Sequence, residues 1–317
     1  MSYRSQKLSK EKLKQNIFRI VLLVLCVLLA GLCVFSAFVP MESWRYRVGL
    51  PKVSARADGE LRVHYLDAEN GVCTLVELPD GKTVLVGGGA DDGEAKKQVL
   101  RFLNALEIER IDALVVPDIT ARGVGVLREV VRYYTVEAAY LLEEEGTNAT
   151  YEAFLADLDR KEIPKHTASF GALMETDEYS LRILYPLANT QSSEDLVLTL
   201  SYGDTEVLLG GRYGRDTLRA LKTEKQLGLL EKWGVNIERF DVVQLRTDID
   251  KDDLRAFLEA LECRVAVFPC RGGKNDSPSE ECLSVLQEYG VAVYRTDENG
   301  YITLCLTQDG YTFETQK

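Results

Sequence analysis

The chain has 317 residues, 46% of them hydrophobic and 28% charged, the balance of a globular protein with ample material for a buried core. Its charge is lopsided: ten basic and three acidic residues in 1–59 leave a net charge of −19 on residues 60–317. Without a local basic patch, a domain that acidic repels nucleic acid and anionic lipid, which excludes broad, non-specific DNA binding.

Up to Arg19 there are six basic residues against the one acid Glu11, and from Ile20 to Val39 there is no charge. Such a run matches the roughly 20 residues a helix needs to cross a hydrocarbon core. A cleavable signal peptide would have an apolar region of only about 7–15 residues followed by a small-x-small site. Here the run is longer and ends in Phe38-Val39-Pro40, so residues 20–39 read as a transmembrane helix, with Cys26 and Cys33 on one face as packing. Residues 1–19 are then a basic cytoplasmic tail. The smaller basic set after the helix (Arg45, Arg47, Lys52, Arg56) places the soluble part outside, as a single-pass protein of the bacterial envelope.

Residues 40–60, with Pro40, Pro51 and no apolar period, read as a linker to a domain over 61–317. Strands are expected at Leu61–Leu66, Val72–Leu78 and Thr83–Val86, the last two joined by Pro79-Asp80-Gly81. A helix follows at Glu94–Leu106, a doubly buried strand at Ile111–Val116, a helix near Val124–Tyr134, a strand at Ala138–Leu142 and a helix at Tyr151–Lys161. Asn148-Ala149-Thr150 fits a glycosylation sequon too short to separate from chance. Strands Leu181–Tyr185, Leu196–Ser201 and Glu206–Leu209 come next, then a long helix ending near Trp233. Strand Asp241–Leu245, helix Asp252–Leu261 and strand Val265–Pro269 precede a helix start at Ser277-Pro278-Ser279-Glu280, read as a Ser277 cap with proline first in the helix. Strands Val291–Arg295 and Tyr301–Leu306 are expected to close as a hairpin on Asn299-Gly300. Hairpins mixed with helix–strand alternation predict two sheets covered by helices; no internal repeat is visible.

Cys73, Cys263, Cys270, Cys282 and Cys305 form no C-x-x-C pair and are odd in number, so neither a zinc ribbon nor a disulfide framework follows. The runs Leu61-Arg-Val-His-Tyr-Leu-Asp67, Gly71-Val-Cys-Thr-Leu, Leu78-Pro-Asp-Gly-Lys-Thr-Val-Leu and Gly88-Gly89 resemble the opening of a metallo-β-lactamase-fold hydrolase. The likeness is greatest to the soluble domain of ComEC-type DNA-uptake proteins. It continues through Arg101-Phe-Leu-Asn-Ala-Leu, Ile111-Asp-Ala-Leu-Val-Val, Tyr202-Gly-Asp-Thr, Asp241-Val-Val and Val293-Tyr-Arg-Thr-Asp-Glu-Asn-Gly. The fold this resemblance implies is an α/β, metallo-β-lactamase-like αββα four-layer sandwich, here preceded by one transmembrane helix.

The family's metal ligands are not where the resemblance puts them. Its H-x-H-x-D-H run aligns with Asp118, Thr120, Arg122 and Gly123, and its bridging aspartate with Arg212. Its later histidine pair falls on Thr247 and Asp248 after Arg246, and another histidine on Ser277; two further aspartates become Gly87 and Val72. Counting agrees, because the only histidines are His64, in a strand, and His166, in a loop, whereas a catalytic zinc wants about three protein ligands rich in nitrogen or sulfur. No metal or other cofactor is therefore expected. A carboxylate-only magnesium or calcium site would draw on Asp118, Asp248 and Asp250, but no loop has the regular oxygen-ligand spacing.

Asp118, Arg122, Arg212, Arg246 and Asp248 are the candidate site residues. If the fold is kept, the three arginines converge where two dications would sit. Two readings are open: a salt-bridge network replacing the metals as structure, favoured because carboxylates are present to pair, or an anion pocket in which guanidinium forks grip phosphate or carboxylate. Gly87-Gly-Gly89 and Arg271-Gly-Gly-Lys-Asn fit no phosphate-loop pattern, and loop geometry is their better explanation. The expected function is a membrane-anchored, catalytically degenerate domain that binds an envelope protein partner or a small anion. The alternative is a phosphoester or nucleic-acid hydrolase with a reworked site.

Overall fold

The structure is a computed structural model and describes residues 15–31, 46–68, 71–117, 119–142, 148–185, 196–210, 239–273 and 276–317. It divides into Met1–Gly49 and Leu50–Lys317. In the first unit residues 15–31 form helix α1, whose apolar side chains, Phe18, Leu23 and Leu28 among them, are exposed. Among the described residues no helix is long and apolar enough to cross a membrane; the distal part of the expected span, 32–39, lies outside them.

In the second unit, strands β1 (Leu61–Tyr65), β2 (Thr74–Glu77) and β3 (Thr83–Val86) form an antiparallel meander. Helix α2 (Gly93–Ala105) follows, then β4 (Arg110–Ile111) and β5 (Ala113–Val115). The expected single strand is split because Asp112 turns its carboxylate on the Thr83 amide, 2.9 Å away, while the Arg110 carbonyl accepts from the Thr83 hydroxyl. After α3 (Ala121–Val124) and α4 (Leu127–Tyr133) come β6 (Thr135–Val136), which pairs with β4, and β7 (Ala139–Leu141). Helix α5 (Ala149–Arg160) and β8 (Lys165–Thr167) complete this half. Asn148 caps α5 at the Tyr151 amide and donates to the Ile119 carbonyl, so its side chain has a structural role.

The second half repeats the plan. A meander of β9 (Gly171–Glu175), β10 (Tyr179–Tyr185), β11 (Val197–Tyr202) and β12 (Thr205–Gly210) leads to parallel strands β13 (Arg239–Gln244), β14 (Glu262–Phe268) and β15 (Ala292–Arg295), with α6 (Lys251–Ala260) and α7 (Glu280–Glu288) between them. The helix expected to end near Trp233 lies outside the described residues. Helix α7 is capped by Ser279 accepting from the Cys282 amide at 3.1 Å, two residues later than expected, because the Ser277 hydroxyl is taken by the Arg295 guanidinium.

The expected hairpin on Asn299-Gly300 does not form. The Asn299 side chain accepts from the Arg295 amide across a short helix, α8 (Thr296–Asn299), and Gly300, at φ +70°, turns the chain over to the other sheet. There β16 (Ile302–Thr307) pairs with β1 and with β17 (Gly310–Thr315). The two sheets therefore run β17-β16-β1-β2-β3-β5-β7-β8 and β15-β14-β13-β12-β11-β10-β9.

Strand alternation builds the interior. Leu61, Val63 and Tyr65 of β1 face Leu198, Leu200, Val207, Leu209, Val242 and Val267 of the second sheet in one dry core. Phe240, Val243 and Ala266 on the second sheet's outer face pack under Leu254, Phe257, Val285 and Leu286 of α6 and α7. On the first sheet's outer face the ring of Phe102, from α2, lies 5.1 Å from that of His64. The layers are helix, sheet, sheet, helix. Part of the expected linker belongs to this unit: the Arg62 guanidinium holds the Ser54 and Ala55 carbonyls, and Ser54 donates to Glu314.

Candidate functional site

In both halves the parallel strands deliver their C-terminal ends to loops, the usual place for a ligand in an α/β fold. The loops after β1, β3 and β5 meet those after β13 and β14. At the junction Thr74, at the start of β2, donates across the sheets to the Gln244 side-chain oxygen at the end of β13, 3.3 Å away. Beneath lies a polar floor in the apolar core, where the Tyr65 hydroxyl and the Gln244 amide nitrogen are buried without a hydrogen-bond partner.

One wall is a weld of three loops. The amides of Gly87, Gly88, Gly89, Ala90 and Asp91 donate to the carbonyls of Val115, Gly123, Val72, Ala68 and Ala121. Gly125 and Val126 return the bonds to Gly89 and Gly88. The approach is so close that a Cβ on Gly71 would lie 2.3 Å from the Arg122 carbonyl oxygen. The glycine loop therefore presents no amide to an anion, as its lack of a phosphate-loop pattern implied.

Opposite that wall lie the described loop residues 270–273 and 276–279. Asp276 draws this loop around itself, accepting from the Arg271 amide at 2.7 Å and the Thr247 hydroxyl at 3.4 Å. Burial pushes the Asp276 carboxyl above the usual aspartate range, against those bonds and the charge of Arg122 nearby. Behind it Arg295 grips Asp297 at 2.6 Å, and Cys270 donates its thiol to the same carboxylate. Burial works against the charge on Asp297, but the Arg295 hydrogen bond holds its carboxyl below the usual range. The Cys270 thiol, pushed up to about 12 by burial and by Asp297, is not a nucleophile at neutral pH.

The candidate residues are distributed unevenly over this site. Arg246 forms an ion pair with the exposed Asp248 two residues on. Arg122 is exposed; among the described residues its guanidinium makes no ion pair, and its charge acts on the Asp276 carboxyl. Asp118 and Arg212 lie outside the described residues. Asp250 caps α6, accepting from the Asp252 amide at 2.9 Å. Asp276, Gln244, Arg295 and Asp297 were not singled out by the sequence; the aspartate closing Arg271-Gly-Gly-Lys-Asn-Asp276 was the available signal.

The donors present do not fit the metal pair that the resemblance implies. Thr120 caps the Arg122 amide, Gly123 and Val72 lend their carbonyls to the weld, Thr247 holds Asp276 and Ser277 holds Arg295. Neither histidine belongs to these loops: His64 is bonded to Thr303 at 2.8 Å and Glu77 at 2.7 Å, and His166 lies beside Tyr140. Among the described residues no group of three histidines, cysteines or carboxylates is placed to hold a metal.

No protein-family model matches the chain, and no curated protein does. Solved structures do. The metallo-β-lactamase fold protein YhfI from Bacillus subtilis is 11% identical over 76% of this chain and 98% of its own, with a TM-score of 0.48. CmlA, a diiron β-hydroxylase from Streptomyces venezuelae, is 12% identical over 83% of this chain and 55% of its own, with a TM-score of 0.45. Zinc-bound PqqB from Methylobacterium extorquens is 13% identical over 71% of this chain and 85% of its own, at 0.43. The chain thus spans about half the length of CmlA. Identities and scores this low assign it none of these proteins' activities.

Proposed function

We propose that this chain is a membrane-tethered, metal-free relative of the metallo-β-lactamase-fold hydrolases, resembling the soluble domain of ComEC-type proteins. On this reading it acts by binding a small oxyanion, phosphate or carboxylate, at the loop junction. The observation that carries the reading is how the family's ligand positions are used: within the described residues most of them hold loops to one another, while Arg122 stands exposed with no ion pair. An exposed guanidinium beside these loops is a ready partner for an oxyanion. The tether rests on the uncharged run 20–39 and on the exposed apolar side chains of α1.

The test uses the full chain, which should leave membranes only with detergent. Purified without chelator it is expected to contain no stoichiometric zinc, manganese or iron and to leave a generic phosphodiester uncleaved. Phosphate or a carboxylate at 100 times its dissociation constant should stabilise it by about 2.7 kcal/mol, and Arg122→Met should remove that response at little cost in stability. One or two metals per chain with phosphodiester hydrolysis would overturn the reading. So would a melting temperature indifferent to every anion.

A further inference from the structure

Among the described residues the two sheets end in four edges, β8 and β17 on one and β9 and β15 on the other, and three of these are blunted. Strand β8 has three residues, one of them Lys165. Strand β9 loses register with β10 between Leu181 and Arg182. Strand β15 has four residues and runs straight into α8. By contrast β17 keeps unbroken register with β16 over six residues, from Ile302↔Thr315 to Thr307↔Gly310. Its sequence, Gly310-Tyr-Thr-Phe-Glu-Thr315, has high strand propensity, no proline and one charge.

The direction of its free groups follows from one bond. The Gln316 amide donates to the Tyr301 carbonyl on the β16 side. Alternation then turns the amides and carbonyls of Glu314 and Thr312 toward β16, and those of Tyr311, Phe313 and Thr315 toward the open edge. Among the described residues no strand pairs with that edge.

We propose that β17 pairs antiparallel with β17 of a second copy of this chain, centred on Phe313, joining the two eight-stranded sheets into one. The register is set by parity. With Phe313 opposite Phe313 of the partner subunit, Tyr311 lies opposite Thr315 of the partner subunit, so every outward-facing amide meets an outward-facing carbonyl. Opposed residues share a face, so the two Phe313 rings meet on the inner side, where each is already fixed by a stack on Tyr294 with centroids 4.4 Å apart. Glu314, the one charge, falls opposite Thr312 of the partner subunit rather than its own copy, and its carboxylate already accepts from Ser54 at 2.5 Å. The strand is thus complementary to itself in charge and in bonding, which makes a second copy the fitting partner.

The full chain in detergent micelles, sized by light scattering after gel filtration, is expected to be a dimer. Facing residues in such a hydrogen-bonded pair have Cα atoms roughly 5.5 Å apart, inside the range of about 4.4–6.8 Å that a disulfide spans. Phe313→Cys should therefore give a disulfide-linked dimer on mild oxidation, and Thr167→Cys, on the β8 edge, should not. Thr315→Pro removes an amide that points to the open edge, together with the exposed hydroxyl's bond to the Lys317 carbonyl. It should keep the melting temperature of the monomer while weakening the dimer about tenfold, since one bond is lost from each copy. A chain that stays monomeric, equal cross-linking at both positions, or a dimer unmoved by Thr315→Pro would overturn the pairing. The last result would assign the association to another surface, such as α1.

Discussion

Glu206 carries the least comfortable charge in the second sheet. Burial, with the charge of Asp241 adding to it and the Ser201 hydroxyl's bond opposing, pushes its carboxyl up to about 7. Because the folded-state value lies above the unfolded one, the group favours folding while protonated, and that contribution is lost as pH rises through about 7. Glu206→Gln keeps an acceptor for the Ser201 hydroxyl and removes the buried charge. The variant is expected to be more stable than the parent by roughly 1–3 kcal/mol at pH 8, with the gap closed at pH 4.5. Urea midpoints at the two pH values check this; an equal gain at both would mean packing, not charge, is responsible. Nothing in the sequence around Thr205-Glu206-Val207 marked this residue, because its burial comes from strands far away in the chain. The same holds for Gln244, whose partner Thr74 is 170 residues distant. His64 was legible as a packing residue from its place in a strand, and the structure gives both its ring nitrogens partners.

Elements with a strong local period were legible, and the misses have local causes. Helices α2, α5 and α6 fall within two residues of their expected limits, since amphipathic spacing and an aspartate or asparagine cap agree at each. Strands β8, β9 and β17 were not expected: Lys165-His-Thr167 has no apolar residue, and Gly171-Ala-Leu-Met-Glu175 no clean alternation. At the start of α7 two serines compete, and a pattern based on spacing chose Ser277, whose hydroxyl serves Arg295 instead. Ser279→Ala should therefore cost about 1 kcal/mol by removing the cap on the Cys282 amide, and Ser277→Ala should cost clearly less. Equal losses in thermal or urea unfolding would show that the helix begins where the spacing suggested.

At the scale of the whole molecule, the internal duplication is plain in the topology and invisible in the sequence. Each half is an antiparallel meander followed by three parallel strands, yet few residues are shared because only the apolar alternation is required. The same economy explains how much of the site could be read. That Arg122 falls on a position the resemblance gives to a metal ligand, and Arg246 beside two others, was an expectation open to the sequence. That the second is paired locally with Asp248, and that the opposite wall is organised by Asp276, depended on loops whose conformation no short pattern specifies. The loop weld at Gly71 and Gly87–Gly89 also leaves little room for the histidine run that the resemblance implies. Installing that run with Asp118→His, Thr120→His, Arg122→Asp and Gly123→His would strip the cap from α3 and force a large ring into a buried glycine position. The repaired sequence is expected to melt below its parent and to take up no stoichiometric zinc in dialysis. If metal alone brought it back to parental stability, the loops would be able to take the shape of the family's metal site. As described, the loops act as a keystone: among the described residues Thr120, Gly123, Val72, Thr247 and Ser277, at positions the resemblance gives to ligands, each hold another part of the chain, so a metal site could be installed there only by way of a less stable protein.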